Sequence, residues 1–470
     1  MNLKESLFRL SRKKGLEFSG SAAYSLCAGA VSLIFRATSE IRSVYLAGSM
    51  AGGDIVPGLS DIDFVIVVKV TDGKNEYEFL RNLEKKIRYL LPPFGKDKIG
   101  THVFIYSDRE WALLGDIFLG KRFGTPLRVF DKDKIIFTNY FSPSVKALHH
   151  FYKAYWRLET IEHDIAVRPK THYELQLRER VMERCFRSIL NGINEAGNKS
   201  CPSARLSGLR REIEEMLVRS GESKNDGLHP DILARLLYYF DLAVVEALHP
   251  RGLPDGKVLS PGNNPVSEGQ IPSERGFVRD LSLLLERETE NCPVLYCPIK
   301  NTDYFVYDLS RYNITDKLIK YYRSNNGRGF RMLSKALLEN MYLNFAEHEV
   351  VFTGLGDRKQ YTLRTRPDED RFILEAYSIF PQLRSPYNFV DNERYEAFRD
   401  KARKLIRLLS RTRTGGKTAN ETLANEGIQN PENSRKEENE FERFNNLRGT
   451  SIELRDKLNS FLSSPSNSPA

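Results

Sequence analysis

Apolar residues gather into short stretches along the first 140 positions, separated by polar and glycine-rich breaks. Ser43–Ala47, Ile62–Val68, Gly100–Tyr106 and Leu127–Phe130 read as strands, and Ile135–Phe137 as a shorter one. Between the second and third, Tyr77, Leu80, Leu83, Ile87 and Leu90 fall near helical spacing. They predict a helix over Glu76–Leu91, stopped by Pro92-Pro93. Ser21–Phe35 is apolar but rich in Ala, Ser and Gly, and short for a membrane span. It reads as a buried helix leading into the first strand. The basic stretch Arg9–Lys14 ahead of it leaves a signal peptide as the competing reading. No other segment has the length and apolarity of a transmembrane span.

From Ser142 the period changes. Val145, Leu148, Tyr152, Tyr155 and Trp156 form one helical face, and Leu177, Val181, Cys185 and Ile189 another. Leu209, Ile213 and Leu217 mark a third, and Leu233, Leu236, Leu237 and Phe240 a fourth, with Pro230 in its first turn. A helical bundle over residues 142–249 follows. Residues 250–275 are dense in Pro, Gly, Ser and Asn and read as a linker. Residues 276–412 read as mostly helical, of no recognisable fold. Two hairpins interrupt them, Val294–Leu309 and Val350–Arg364. Residues 413–470 are polar and poor in aromatics, which predicts a largely disordered tail with a weak helix at Glu440–Leu462. The class is therefore α+β: a small mixed-sheet domain over residues 1–140, then helical regions.

Composition narrows the partners. The 470 residues carry a formal charge of +9, which favours nucleotides, nucleic acid or acidic membrane surfaces. Five cysteines are few, and only Cys292 and Cys297 lie close together. No His or Cys near them completes a zinc site, so they read as buried thiols in a reducing cytoplasm.

The candidate chemistry sits between the first two strands. The first ends on Gly48-Ser49, and the second opens with Asp61-Ile62-Asp63. Side chains alternate along a strand, so Asp61 and Asp63 share a face, roughly 6.5–7 Å apart at their α-carbons. Carboxylates are poor strand residues, and two side by side repel unless a cation lies between them. Mg²⁺ meets that need: it takes oxygen ligands and keeps positions open for phosphate oxygens. Gly48 lets a ligand approach the backbone, and Ser49 can offer its N–H and hydroxyl to phosphate. Ser60 is placed to hold the intervening loop by side-chain hydrogen bonding.

Gly48-Ser49, eleven residues, then Asp61-Ile62-Asp63 between apolar strands resembles the signature of the polymerase-β-like nucleotidyltransferase superfamily. The stretch GSMAGGDIVPGLSDIDFVIVV is most similar to the aminoglycoside nucleotidyltransferases of the streptomycin/spectinomycin type, which also follow a small α/β domain with a helical bundle. The resemblance implies transfer of a nucleoside monophosphate from ATP or another nucleoside triphosphate to a hydroxyl acceptor, with release of pyrophosphate. It places Gly48 and Ser49, with Ser60 beside them, at the nucleotide, and Asp61 and Asp63 on Mg²⁺. It also implies a third carboxylate on a later strand. The matching strand here, GTHVFIYS, contains none, and the expected position falls near Thr101 or His102. His102 can replace the base, since imidazole titrates near neutrality. Otherwise the acid comes from elsewhere, or the chemistry is lost. Asp108 and Glu110 stand at the strand's far end.

Two function classes follow. One is a Mg²⁺-dependent nucleotidyltransferase whose acceptor is a small molecule, RNA or protein. The other is a catalytically degenerate nucleotide-binding module that engages a protein or RNA partner. Tyr321–Arg331 interleaves aromatic and basic residues, as single-stranded nucleic acid contacts do and as a loop between helices also does. Arg394–Arg413 reads as a basic helix docked on its own domain, with membrane-surface or RNA contact as the other reading.

Overall fold

The computed structural model describes residues 3–13, 17–52, 55–69, 73–90, 101–118, 127–132, 136–166, 171–197 and 207–215. It also describes four positions between 240 and 247, six strands between 259 and 363, and residues 369–413 and 439–463. The chain divides into two compact units. One joins Met1–Phe141 to Phe372–Ala470, and the other is Ser142–Arg371.

The first unit opens with helices α1 (Leu3–Ser11) and α2 (Glu17–Arg36). Strand β1 (Ile41–Ala47), the single-turn helix α3 (Gly48–Gly52), β2 (Ile62–Val68) and α4 (Gly73–Leu90) follow. Strand β3 (Thr101–Ser107), α5 (Asp108–Phe118) and β4 (Leu127–Asp131) complete its N-terminal segment. The sheet has the order β3-β2-β1-β4. β1 runs antiparallel to β2 and β4, and β2 runs parallel to β3. A parallel pair needs a crossover, which α4 supplies.

Both faces of the sheet are covered. Phe35 of α2 packs edge-on against Phe64 at 5.3 Å. On the other face Trp111 of α5 lies 5.2 Å from Tyr45 and 5.3 Å from Tyr106. Double coverage explains why β2 is a nearly unbroken apolar run, interrupted only by half-buried Asp63. Ile136 and Phe137, expected in a fifth short strand, lie outside any strand. Thr138 N–H instead donates to the Ala112 carbonyl at 2.8 Å, and a Cβ on Gly115 would stand 2.5 Å from the Phe137 ring. Phe137 packs on α5 rather than pairing, while Ile136 is exposed and Ile135 lies outside the described residues.

In the second unit, α6 (Pro143–Ala166) and α7 (His172–Ala196) pack lengthwise against each other. Val145, Leu148 and Tyr155 from one and Cys185 and Ile189 from the other are buried. Gly192 allows the contact to close, because a Cβ there would stand 2.5 Å from Phe151. Leu209, Ile213 and Phe240 are buried, whereas Leu217, Leu233, Leu236 and Leu237 lie outside the described residues. The same unit holds a six-stranded sheet. Its strands are β5 (Leu259–Pro265), β6 (Leu295–Ile299), β7 (Thr302–Tyr307), β8 (Phe330–Ser334), β9 (Val350–Gly354) and β10 (Lys359–Leu363), in the order β5-β10-β9-β6-β7-β8. The two expected hairpins are its β6/β7 and β9/β10 pairs. β5 arises within the stretch expected to be a linker. It is an edge strand, where Pro261 and Pro265 do not interrupt a ladder on both sides.

The C-terminal segment consists of α8 (Glu369–Arg384), α9 (Pro386–Val390), α10 (Asn392–Arg413) and α11 (Glu440–Leu462). The region expected to be a largely disordered tail therefore carries a 23-residue helix. Asn439 accepts from Glu442 N–H and Glu442 reaches back to Asn439 N–H, a capping box that fixes its start. Phe444, Leu447, Leu454, Leu458 and Phe461 form its buried stripe. Tyr77 of α4 sits 5.7, 5.2 and 5.5 Å from Phe389, Phe441 and Phe444, joining α4 to α9 and α11.

A buried ionic cluster reinforces this junction. Arg384 is 3% exposed and donates through Nε and Nη2 to the two oxygens of Glu110, each at 2.9 Å. Its Nη1 meets Glu76, whose other oxygen accepts from Arg448 Nε at 2.9 Å. Ser451 Oγ also donates to Glu110. Burial pushes the Glu110 carboxyl up to about 7, while Ser451 and Ser107 draw it down. Burial pushes Arg384 down to about 9. Among the described residues no helix is long and apolar enough to cross a membrane.

Candidate active site

The turn after β1 is built around Gly48. Its φ is +63°, in the left-handed region that disfavours residues with a Cβ. A Cβ there would also lie 2.2 Å from Asp63 Oδ2. Glycine is thus required twice, for the backbone and for room beside the carboxylate. Gly48→Ala is expected to cost the first unit about 1–3 kcal/mol, from strain and displacement of Asp63. Denaturant unfolding followed by tryptophan fluorescence checks this. Ser49 follows at 5% exposure, and its Oγ is buried with no hydrogen-bond partner. An unmatched buried hydroxyl is costly, and among the described residues nothing pairs with this one.

The loop leading to Asp61 is closed on itself. Ser60 N–H donates to the Val56 carbonyl, and Val56 N–H donates to Ser60 Oγ, both at 2.9 Å. Gly58 takes φ +82° at the bend. Ser60 is fully buried, and its hydroxyl is engaged inside the loop. Ser60 thus holds the loop by side-chain hydrogen bonding, as its position predicts. Asp61 stands one position before β2, half-buried.

Asp63 pairs across β1 with Ala47 and across β3 with His102. His102 Nδ1 lies 3.1 Å from Asp63 Oδ1. The imidazole is 60% exposed and the Asp63 side chain 24%. The two oxygens of Asp63 therefore face different neighbours, Oδ1 the histidine and Oδ2 the Gly48 turn. Asp63 is on the face that Tyr45 and Tyr106 share farther along the sheet, where Trp111 covers it.

The strand expected to carry a third carboxylate, Thr101–Ser107, has none. Asp108 and Glu110 follow in α5. Asp108 lies 3.3 Å from Arg42, and Glu110 is held by Arg384 and Ser451. Neither reaches Asp63 as a replacement acid. Among the described residues no three His, Cys, Asp or Glu side chains gather closely enough to hold a metal by themselves. A Mg²⁺ bound with a nucleotide needs fewer protein donors, since phosphate oxygens and water complete its shell. The buried Ser49 hydroxyl, which has no hydrogen-bond partner among the described residues, fits such a phosphate-bearing ligand, and Asp63 stands against the same turn.

Sequence reasoning placed Gly48, Ser49, Asp61, Asp63 and His102 in this region and missed Tyr24. Its hydroxyl, from α2, touches the Gly58–Ser60 turn. No local pattern announces it, because the contact spans 34 to 36 residues.

A family model described as a nucleotidyltransferase domain matches residues 31–99. That span holds Gly48, Ser49, Asp61 and Asp63 and stops short of His102. No curated protein and no solved structure matches the chain.

Proposed function

We propose that the protein is a Mg²⁺-dependent nucleotidyltransferase that moves a nucleoside monophosphate from a nucleoside triphosphate, ATP in the first instance, to a hydroxyl acceptor with release of pyrophosphate. The observation that carries the reading is the juxtaposition of Asp63 with the Gly48-Ser49 turn, within a segment matching a nucleotidyltransferase domain, and with His102 just beyond it. In this reading Asp61 and Asp63 hold the ion, and Ser49 gives its hydroxyl to a phosphate oxygen. Bound there, the ion supplies positive charge to the phosphate oxygens as the bond to phosphorus changes hands.

His102 takes the part of the missing third acid. With Nδ1–H donating to Asp63 Oδ1, Nε2 is the nitrogen that would accept the proton of the attacking hydroxyl. Asp63 fixes the tautomer and steadies the cation that forms, as a carboxylate does behind a catalytic histidine. The likeness to the streptomycin/spectinomycin-type enzymes rests on Gly48–Val68 alone. The acceptor is left as a class: a small hydroxylated compound, RNA or a protein.

Incubation of the full chain with α-labelled triphosphates, Mg²⁺ and acceptors of each class tests the reading. Labelled acceptor and stoichiometric pyrophosphate are expected with one of them. An RNA acceptor is expected to lose affinity steeply with salt, because neutralised phosphates release counterions. The +9 charge favours that arm.

The absence of an acid from β3 favours a second reading, a nucleotide-binding module without transfer. Under it, Mg²⁺–ATP binds, and His102→Asn leaves that binding unchanged with no product from either protein. A labelled product that His102→Asn abolishes rules the second reading out.

A further inference from the structure

We infer that Tyr24 is a positioning residue for the metal-binding Asp61, acting through the turn that precedes it. The inference rests on the transferase reading for Asp61's role, and on the hydrogen bonds alone for the clamp itself. Tyr24 lies on α2 and is 2% exposed. Its hydroxyl accepts from Gly58 N–H at 3.0 Å and donates to the Ser60 carbonyl at 2.9 Å. One buried oxygen thus bridges a donor and an acceptor two residues apart on the loop. The bridge ends on the peptide group that joins Ser60 to Asp61.

The placement matters because these two hydrogen bonds tie the turn to α2. Its internal bonds, Val56 with Leu59 and Ser60, close a turn but do not tie that turn to the sheet. Gly58, at φ +82°, gives the bend backbone freedom on which α2 acts through Tyr24. α2 is itself fixed to the sheet by Phe35 against Phe64. The chain of contacts therefore runs from the sheet to α2, from Tyr24 to the turn, and from the turn to Asp61. Asp63 needs no such device, since β1 and β3 hold it by register. A carboxylate just outside a ladder keeps its geometry only if its loop does. A shift of about 1 Å in a site of this kind is felt strongly.

The test is a double-mutant cycle between Tyr24→Phe and Asp61→Asn in the full chain. ATP affinity is read by calorimetry with and without Mg²⁺, well below the unfolding temperature. Tyr24→Phe removes the bridging oxygen and keeps the ring. It is expected to weaken Mg²⁺–ATP binding about tenfold, the worth of one such buried contact, to leave metal-free ATP binding unchanged, and to have no further effect once Asp61→Asn is present. A purely structural tyrosine would lower the melting temperature without this coupling.

Amide exchange of residues 56–61 in the ligand-free protein supplies a readout independent of nucleotide. Faster exchange there, with β2 unchanged, is expected in Tyr24→Phe. If that variant does not fold, Ser60→Ala loosens the same turn from within, and the same coupling to Asp61 is expected. Wild-type affinity with wild-type exchange, or losses that simply add to those of Asp61→Asn, would overturn the inference. Should the wild type itself show no Mg²⁺-dependent ATP binding, the transferase reading fails alone, and amide exchange still decides the clamp.

Discussion

Replacing Asp61 and Asp63 together with asparagine is expected to lower pyrophosphate release by roughly a thousandfold or more while leaving the first unit folded. The two effects separate because of where the residues stand. Both are half-buried at the entry to β2, and neither packs in the Phe64–Val68 core. Asparagine keeps the volume and an acceptor oxygen, so the contact from His102 survives the change at Asp63. Only the negative charges go, and with them the attraction for a divalent cation. Stability should move by no more than about 0.5 kcal/mol, as for surface substitutions elsewhere. Pyrophosphate release and thermal unfolding, measured on the same preparation, check the two halves. Undiminished turnover in the double variant would remove the basis of the proposed chemistry.

Arg384→Ala is expected to be the most destabilising single change in the first unit, at about 3–5 kcal/mol. Arg384 satisfies two buried carboxylates at once, Glu110 through a bidentate pair and Glu76 through its third nitrogen. Its loss strands their charge among side chains that are almost wholly inaccessible. The pH dependence of the variant has a definite sign. A stranded buried carboxyl has its folded pKa raised above its unfolded value, so the native state binds the extra proton. Stability is then lost as pH rises toward neutrality and partly regained on acidification from pH 7 to 5. Arg384→Met combined with Glu76→Gln and Glu110→Gln should recover much of the loss, because neither buried carboxylate is left charged and the amide oxygen of Glu76→Gln can still accept from Arg448. Urea titrations at both pH values distinguish the single variant from the compensated one.

The strands of the first sheet were legible because their faces are apolar and the first two are bounded by Gly48 and Asp61, as Pro92-Pro93 bounds the helix between the second and third. The spacing from Gly48-Ser49 to Asp61 and Asp63 was equally plain. Even the lack of an acid on β3 could be read, and register then put His102 opposite Asp63. What lay beyond reading was long-range. Glu110 meets Arg384 across 274 residues and Glu76 across 308, and no local signal couples them. Glu110 did announce a lesser part, since Ser107 and Glu110 spell the capping box that opens α5. Helix α11 was legible with its bounds, Glu440–Leu462, but its polar composition made it read as weak, although Phe444, Leu447, Leu454, Leu458 and Phe461 recur at helical spacing. Strand β5 was hidden by its prolines, which an edge position tolerates.

The anchoring of Glu76 and Glu110 by Arg384, Arg448 and Ser451 has a consequence for how the protein is made. A ribosome delivers Met1–Phe141 early, yet Arg384, Arg448 and Ser451, which engage its interior acids, emerge only after residues 142–371. The intervening 230 residues, 142–371, have time to collapse as a unit of their own. A nascent chain halted before Arg384 would carry Asp61 and Asp63 on an unfinished scaffold, so completion of the first unit waits on its second segment.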